Sequence, residues 1–170
     1  MKQRKIKSRF KARIRKNKQI INKQLNDFFN WVKGAELVSL KECNTREDPI
    51  RPELDNEFRT SYGRKIYGVK YKNEIHAVMC FAYTNEIPRS VNELGKLSHD
   101  AFLQSAQRDQ NVGKIAIAYT VWSKKKGGGK LIVKEVFKMI KKSNHLNRLV
   151  TLSPITEMAT KFHLRNKAKL

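Results

Sequence analysis

Residues 121–130 read Val-Trp-Ser-Lys-Lys-Lys-Gly-Gly-Gly-Lys, three consecutive glycines set among four lysines. Glycines let backbone N–H groups approach an anion with no side chain in the way. A helix beginning here would point the positive end of its dipole at the same spot. Lys124, Lys125, Lys126 and Lys130 surround the glycines with positive charge. The stretch reads as a seat for phosphate or pyrophosphate.

The flanking segments are those such a seat needs. Residues 114–122 are apolar and β-prone, a buried strand, and residues 131–142 have the amphipathic period of a helix. Ser143 to Asn147 break that helix, and residues 148–152 form a short buried strand, consistent with a parallel return through the crossover helix. Thr156 can cap a second helix over residues 156–166, and residues 167–170 could start another strand. Upstream, residues 66–71 and 74–83 flank Lys72-Asn73, a hairpin signature. The second of these strands is apolar on both faces and belongs centrally in a sheet. His76 reads there as a packed strand residue, since it has no metal-ligating companions. Residues 38–40 suggest a short strand. Residues 85–111 suggest a loop with a short helix or two, with Asp100, beside His99, as an N-cap.

Composition bounds the partners. A chain of 170 residues with a 39% apolar fraction supports one domain with a core. The formal charge of +22 favours polyanions, whether DNA, RNA, ribosomal particles or an acidic membrane surface. Eleven Lys or Arg and no acid lie between Met1 and Gln24. Ile6, Phe10, Ile14, Ile21, Leu25, Phe28 and Val32 recur near helical spacing through the same region. Residues 1–34 therefore read as a basic amphipathic helix ending near Gly34, its apolar stripe docked on the domain and its basic face free for phosphates, with a solvated tail as the alternative for its first fifteen residues. Its cations Lys5, Lys7, Arg9, Lys11, Arg13, Arg15 and Lys16 are candidates for nucleic-acid phosphates. Six of the fifteen acids gather in Glu42, Glu47, Asp48, Glu53, Asp55 and Glu57, as a loop facing basic neighbours or an acceptor. Cys43 and Cys80 are far apart in sequence and suggest neither a disulfide framework nor a zinc site, so no metal is expected. No stretch has the ~20 apolar residues of a membrane span. The expected location is a reducing compartment, cytoplasmic or nucleoid-associated, with an organelle matrix as the lesser alternative.

The order strand hairpin, strand, glycine turn, helix, strand, helix over residues 66–170 resembles the GCN5-related N-acetyltransferases. Their turn has the pattern Arg/Gln-x-x-Gly-x-Gly/Ala, and Lys124, Gly127 and Gly129 fit it with lysine in the first place. A lysine meets phosphate as a point charge without the planar fork of arginine. A second family pattern, Asn-x-x-Ala-x-x-x-Tyr-x-x-x-Gly-Phe, falls on Thr156, Ala159, His163, Lys167 and Ala168. The resemblance implies an α/β (α+β) fold, a mixed and mostly antiparallel central sheet flanked by helices, here in residues 35–170 behind the basic N-terminal helix. It implies acetyl-CoA as cofactor. The backbone around Tyr119 to Val121, Thr120 and Val121 above all, would hold the pantetheine, and Lys124 to Lys130, including Gly127, Gly128 and Gly129, would hold the pyrophosphate. It puts His163 where the family has the tyrosine that protonates the leaving thiolate, with Tyr119 and Ser153 flanking the cleft. Glu74, Asp100 and the acids around Asp55 and Glu57 are the candidate bases for a neutral amine. The family usually adds two more strands, so a homodimer or larger particle could complete the sheet.

Two readings follow. One is an acyl-CoA-dependent N-acyltransferase acting on nucleic acid, as in nucleobase modification, or on a nucleic-acid-associated protein. The other is a non-catalytic nucleic-acid-binding component of a ribonucleoprotein or nucleoprotein particle.

Overall fold

A computed structural model describes the backbone of residues 2–108, 113–154 and 156–169, and the side chains of residues 13–107, 113–154 and 156–169. The chain forms two compact units, Met1–Ala35 and Glu36–Leu170. The first is one helix, α1 (Lys2–Gly34), which runs through the segment for which a solvated tail was the alternative.

The second unit comprises β1 (Glu36–Leu40), α2 (Asn56–Thr60), β2 (Lys65–Tyr71), β3 (Glu74–Thr84), α3 (Val91–Arg108), β4 (Ile115–Ser123), α4 (Gly128–Lys142), β5 (Arg148–Thr151) and α5 (Glu157–Arg165). The strands form one sheet in the order β1-β2-β3-β4-β5. The first three pairings are antiparallel and β4–β5 is parallel. Lys72 and Asn73, with φ of 49° and 64°, make the tight turn between β2 and β3; both being left-handed matches the twist of the strands they join.

Each face of the sheet has its own cover. Ile66, Val78, Cys80, Ile117, Tyr119 and Trp122 form a buried core with Leu94 of α3, against which Phe58 of α2 packs. Gly128 of α4 abuts Ala77 and Ser123. These alternate in the chain with Val78 and Trp122, so α4 lies on the opposite face, where Leu131, Ile132, Val136 and Ile140 are buried.

Two β-bulges interrupt the alternation. Val69 faces Ala77 and Lys70 faces Ile75, leaving His76 extra. Cys80 faces Thr120 and Phe81 faces Ala118, leaving Tyr119 extra. A bulge sets two residues opposite one, so Tyr119 and Thr120 share a face: Tyr119 joins the core with Cys80, and Thr120 bonds a carboxylate that pairs with an arginine reaching Cys80.

Several expectations need correction. Residues 91–108 make one long helix, and Asp100 sits inside it instead of capping it. The start is built by Ser90 and Glu93: the Glu93 N–H donates to Ser90 Oγ at 3.1 Å, and the Arg89 N–H donates to Glu93 Oε2 at 2.6 Å. That Ser-x-x-Glu pairing outcompetes a later start because it satisfies helix N-terminal donors reciprocally. Residues 167–169 form no strand; Lys167 is left-handed and the Ala168 N–H donates back to the His163 carbonyl, closing α5. Leu170 lies outside the described residues. Cys43 and Cys80, distant in sequence, are both free thiols, with Cys43 packed against the core that holds Cys80; Cys43 Sγ lies 3.5 Å from Asn56 Oδ1 and Cys80 Sγ accepts from Arg59 at 3.2 Å.

Candidate functional site

β4 and β5 pair from Ile115↔Arg148 to Ala118↔Thr151, and the Leu152 N–H closes the ladder on the Ala118 carbonyl at 2.9 Å. Beyond that point β5 ends while β4 continues to Ser123. The gap is a cleft of about 200 Å³ lined by Thr120, Val121, Gly129, Ser153, Ala159 and His163, among others. Arg51 bridges the two strands where they part, donating from Nε to the Tyr119 carbonyl at 2.9 Å and from Nη2 to the Leu152 carbonyl at 3.1 Å. The Tyr119 carbonyl, part of the backbone expected to hold a pantetheine, thus already has a partner.

The glycine turn leads from β4 into α4 as its residue types require. Gly127 is the N-cap at φ 84°, a left-handed conformation glycine adopts without a Cβ penalty. It offers no side-chain cap; the Gly128 N–H donates to the Lys125 carbonyl at 2.9 Å, and the Gly129 and Lys130 amides precede the first intrahelical bond, from the Leu131 N–H to the Gly127 carbonyl, where they can face an anion. A Cβ on Gly128 would fall 2.9 Å from the Cβ of Ser123, and one on Gly129 would fall 3.1 Å from the Phe162 ring of α5. Glycine at both positions is thus required by the close packing of α4 on β3, β4 and α5, and the bare backbone of the turn is what fits a pyrophosphate. The lysines divide. Lys124 Nζ is 2.7 Å from Glu47 Oε1, a contact that lowers the Glu47 pKa. Lys125 lies over the Tyr71 ring at 5.0 Å. Lys126 and Lys130 are exposed and make no ion pair among the described residues.

Across the cleft, Thr156 caps α5 by accepting from the Ala159 N–H at 3.1 Å. One turn further, His163 Nε2 lies 2.9 Å from Ser153 Oγ. Burial lowers the His163 pKa, so its imidazole is neutral at physiological pH. A hydroxyl against a neutral imidazole can pass a proton either way. Of the side chains lining the cleft, only those of His163 and Tyr119 titrate. Tyr119 is 1% exposed, its ring stands edge-on to Phe58 at 6.0 Å, and burial raises its pKa. Its phenol belongs to the core, so among the described residues His163 is the titratable side chain that the cleft presents.

Behind the bulge is an ion pair that no motif announced. Asp48 and Arg59 meet at 2.9 Å with both side chains fully buried. Asp48 also accepts from Thr120 Oγ1 at 2.8 Å and from the N–H groups of Ile50 and Arg51. Arg59 donates to the Arg51 carbonyl at 2.7 Å and to Cys80 Sγ at 3.2 Å. One carboxylate thus ties the acidic loop, the bulge and Arg51 into a single unit beside the cleft. Nothing in the sequence separates Asp48 from the other acids of this loop, which are exposed or only part-buried.

The other candidates are not brought to the cleft. Glu74 lies exposed beside the hairpin turn, 3.8 Å from His76, and Asp100 is exposed on α3. Asp55 caps α2 by accepting from the Phe58 N–H, and Glu57 is exposed. Arg13, Arg15 and Lys16 are exposed on α1; the side chains of Lys5, Lys7, Arg9 and Lys11 lie outside the described residues. Among the described residues no group of His, Cys, Asp or Glu is arranged to hold a metal ion.

No family model matches the chain, and no curated protein is similar to it. Among solved structures it is similar to a malonyl-CoA decarboxylase from Cupriavidus metallidurans, at 22% identity and a TM-score of 0.50, over 78% of this chain and 34% of that one. It is also similar to a ribosomal-protein-alanine N-acetyltransferase from Brucella melitensis biovar Abortus 2308, at 11% identity and a TM-score of 0.49, over 80% of this chain and 93% of that one. The first likeness shows the fold, and the chain spans about a third of that decarboxylase's length. The mixed, mostly antiparallel sheet flanked by helices that the resemblance implied is the architecture observed, with a parallel β4–β5 pair and a glycine turn into α4.

Proposed function

We propose that the chain is an acyl-CoA-dependent enzyme that works on the acyl group in the β4–β5 cleft. The observation that carries the reading is the cleft itself, a glycine cradle at one end and a hydrogen-bonded Ser153–His163 pair on its wall. Coenzyme A supplies the acyl group as a thioester, whose thiolate departs when an amine takes the acyl group. Gly127, Gly128 and Gly129 bind the pyrophosphate with Lys126 and Lys130 nearby. His163, neutral, takes the proton that the attacking amine loses, directly or through Ser153, and hands it to the departing thiolate. The proton count closes on one imidazole. The charge of +22 sets the amine on or beside a polyanion.

One observation favours a second reading. The pairing of Ser153 with His163 is also what decarboxylation of a malonyl-type thioester needs, and the decarboxylase named above has this fold. There, loss of carbon dioxide leaves an electron pair that spreads onto the thioester oxygen. Ser153 Oγ–H can donate to that oxygen, and a proton passed through His163 quenches the carbon. Incubating the protein with acetyl-CoA plus a polyamine, and separately with malonyl-CoA, tests both. Free thiol in the first mixture supports N-acyl transfer, and acetyl-CoA with carbon dioxide in the second supports decarboxylation. Neither product from either mixture would overturn the enzymatic reading.

A further inference from the structure

The first unit carries a feature that acyl chemistry does not use. Along α1, Ile14, Ile21, Leu25 and Phe28 recur at spacings of seven, four and three residues, which sets them on one face of the helix. All four are exposed, and Phe29 beside them is 63% exposed. Lys18, four residues after Ile14 and three before Ile21, stands within the stripe, and most other cations lie around the rest of the helix. From Lys2 to Gly34 there are twelve Lys or Arg against one acid, Asp27. Among the described residues no helix is long and apolar enough to cross a membrane.

We propose that α1 lies in the plane of an anionic lipid bilayer, its Ile–Leu–Phe stripe among the acyl chains and its lysines and arginines on the headgroup phosphates. Three classes of occupant compete, and only one satisfies both faces. Nucleic acid would take the cations but leave Ile14, Ile21, Leu25, Phe28 and Phe29 in water. A second copy could cover the stripe, but pairing would bring together two segments that each hold eleven cations and no acid up to Gln24. A bilayer surface with acidic headgroups accepts apolar side chains and balances charge in one contact. Strong amphipathicity, a Lys/Arg-rich polar face and Phe or Leu on the other define helices that rest in the interface.

The test uses the full chain and sedimentation with sucrose-loaded vesicles at physiological salt. One set of vesicles is phosphatidylcholine alone and the other contains roughly a third phosphatidylglycerol, enough to supply an anionic surface potential. The triple variant Ile21→Ser, Leu25→Ser, Phe29→Ser keeps every charge and alters only exposed positions. Circular dichroism of it verifies the helix. We expect binding to the anionic vesicles, little to the neutral ones, and at least a tenfold weaker partition for the triple variant. No binding to anionic vesicles overturns the proposal, and so does equal binding by the triple variant, which would mean attraction by charge alone. Two further arms read the competitors. A dimer that the triple variant dissolves in sedimentation equilibrium, without vesicle binding, would assign the stripe to a second copy. Tight binding of duplex DNA or RNA unchanged in the triple variant, without vesicle binding, would assign the helix to nucleic acid.

Discussion

Replacing Asp48 with alanine puts the hidden part of the site to a quantitative test. The carboxylate is buried at 2.9 Å from a fully buried guanidinium. It accepts as well from Thr120 Oγ1 and from the N–H groups of Ile50 and Arg51. Removing one partner from such a pair strands a charge and costs roughly 3–5 kcal/mol. Each backbone N–H left without an acceptor adds up to about 1 kcal/mol. We expect a loss near the top of that range, ~4–5 kcal/mol, a large part of the ~5–15 kcal/mol that holds a typical domain together. In thermal unfolding this corresponds to a fall in Tm of roughly 10–15 °C for a domain of this size. Urea unfolding followed by circular dichroism measures it, with the slope of the transition confirming that both proteins unfold alike. Asp48→Asn retains shape and an acceptor and is expected to lose about half as much. Asp48→Leu combined with Arg59→Met removes both charges, and its loss is expected to fall well short of the sum of the single losses. A loss under about 1 kcal/mol for Asp48→Ala, or additive losses in the double variant, would refute a tightly coupled buried pair.

Further expectations concern the cleft. His163→Ala should lower turnover by ~10²–10⁴-fold with little change in KM, because it removes a proton carrier and not a binding group; steady-state kinetics with whichever substrate is active measures this. Burial lowers the His163 pKa, so the acid limb of kcat/KM should lie below the ordinary histidine value of about 6.5. The sign for stability agrees: the unfolded histidine binds a proton more readily than the folded one. Its contribution is full above the unfolded pKa and is lost as pH falls through the folded one. His163→Phe should flatten that part of a stability–pH profile. Arg51→Met leaves two strand carbonyls without a donor, an expected cost of ~1–3 kcal/mol by urea unfolding. Arg51→Lys should recover only part of it, since an ammonium lacks the planar fork that reaches two acceptors.

Local signals in the sequence reached far into the fold. Alternation marked β4, the 3.6-residue period marked α4, Lys72-Asn73 marked the hairpin, and Thr156 marked the start of α5. Each depends on residues within one element, where backbone sterics and capping decide the outcome. The misses were of two kinds. Asp100 was assigned a cap that Ser90 and Glu93 supply, a local motif present in the sequence. The others depend on distant contacts. The bulge at Tyr119 arises from how β3 and β4 register, and Asp48 reaches Thr120 across 72 positions of sequence. The nearness of Cys43 to Cys80, and the grip of Arg51 on Tyr119 and Leu152, likewise exist only once the sheet has formed. For the site, the glycine turn was legible by type and spacing, and the resemblance set Ser153 and His163 at one cleft; their 2.9 Å contact, and the withdrawal of Tyr119 into the core, exist only in the folded chain.

The central claim is that the cradle formed by Gly127, Gly128 and Gly129 binds coenzyme A. Calorimetric titration of the full chain with coenzyme A tests it directly, using Gly129→Val as the paired variant. A saturable heat of binding is expected for the natural chain. None is expected for Gly129→Val, whose side chain would have to occupy space 3.1 Å from Phe162 at the mouth of the helix. Absence of heat with the natural chain at millimolar coenzyme A, or equal binding by a folded Gly129→Val variant, would contradict it.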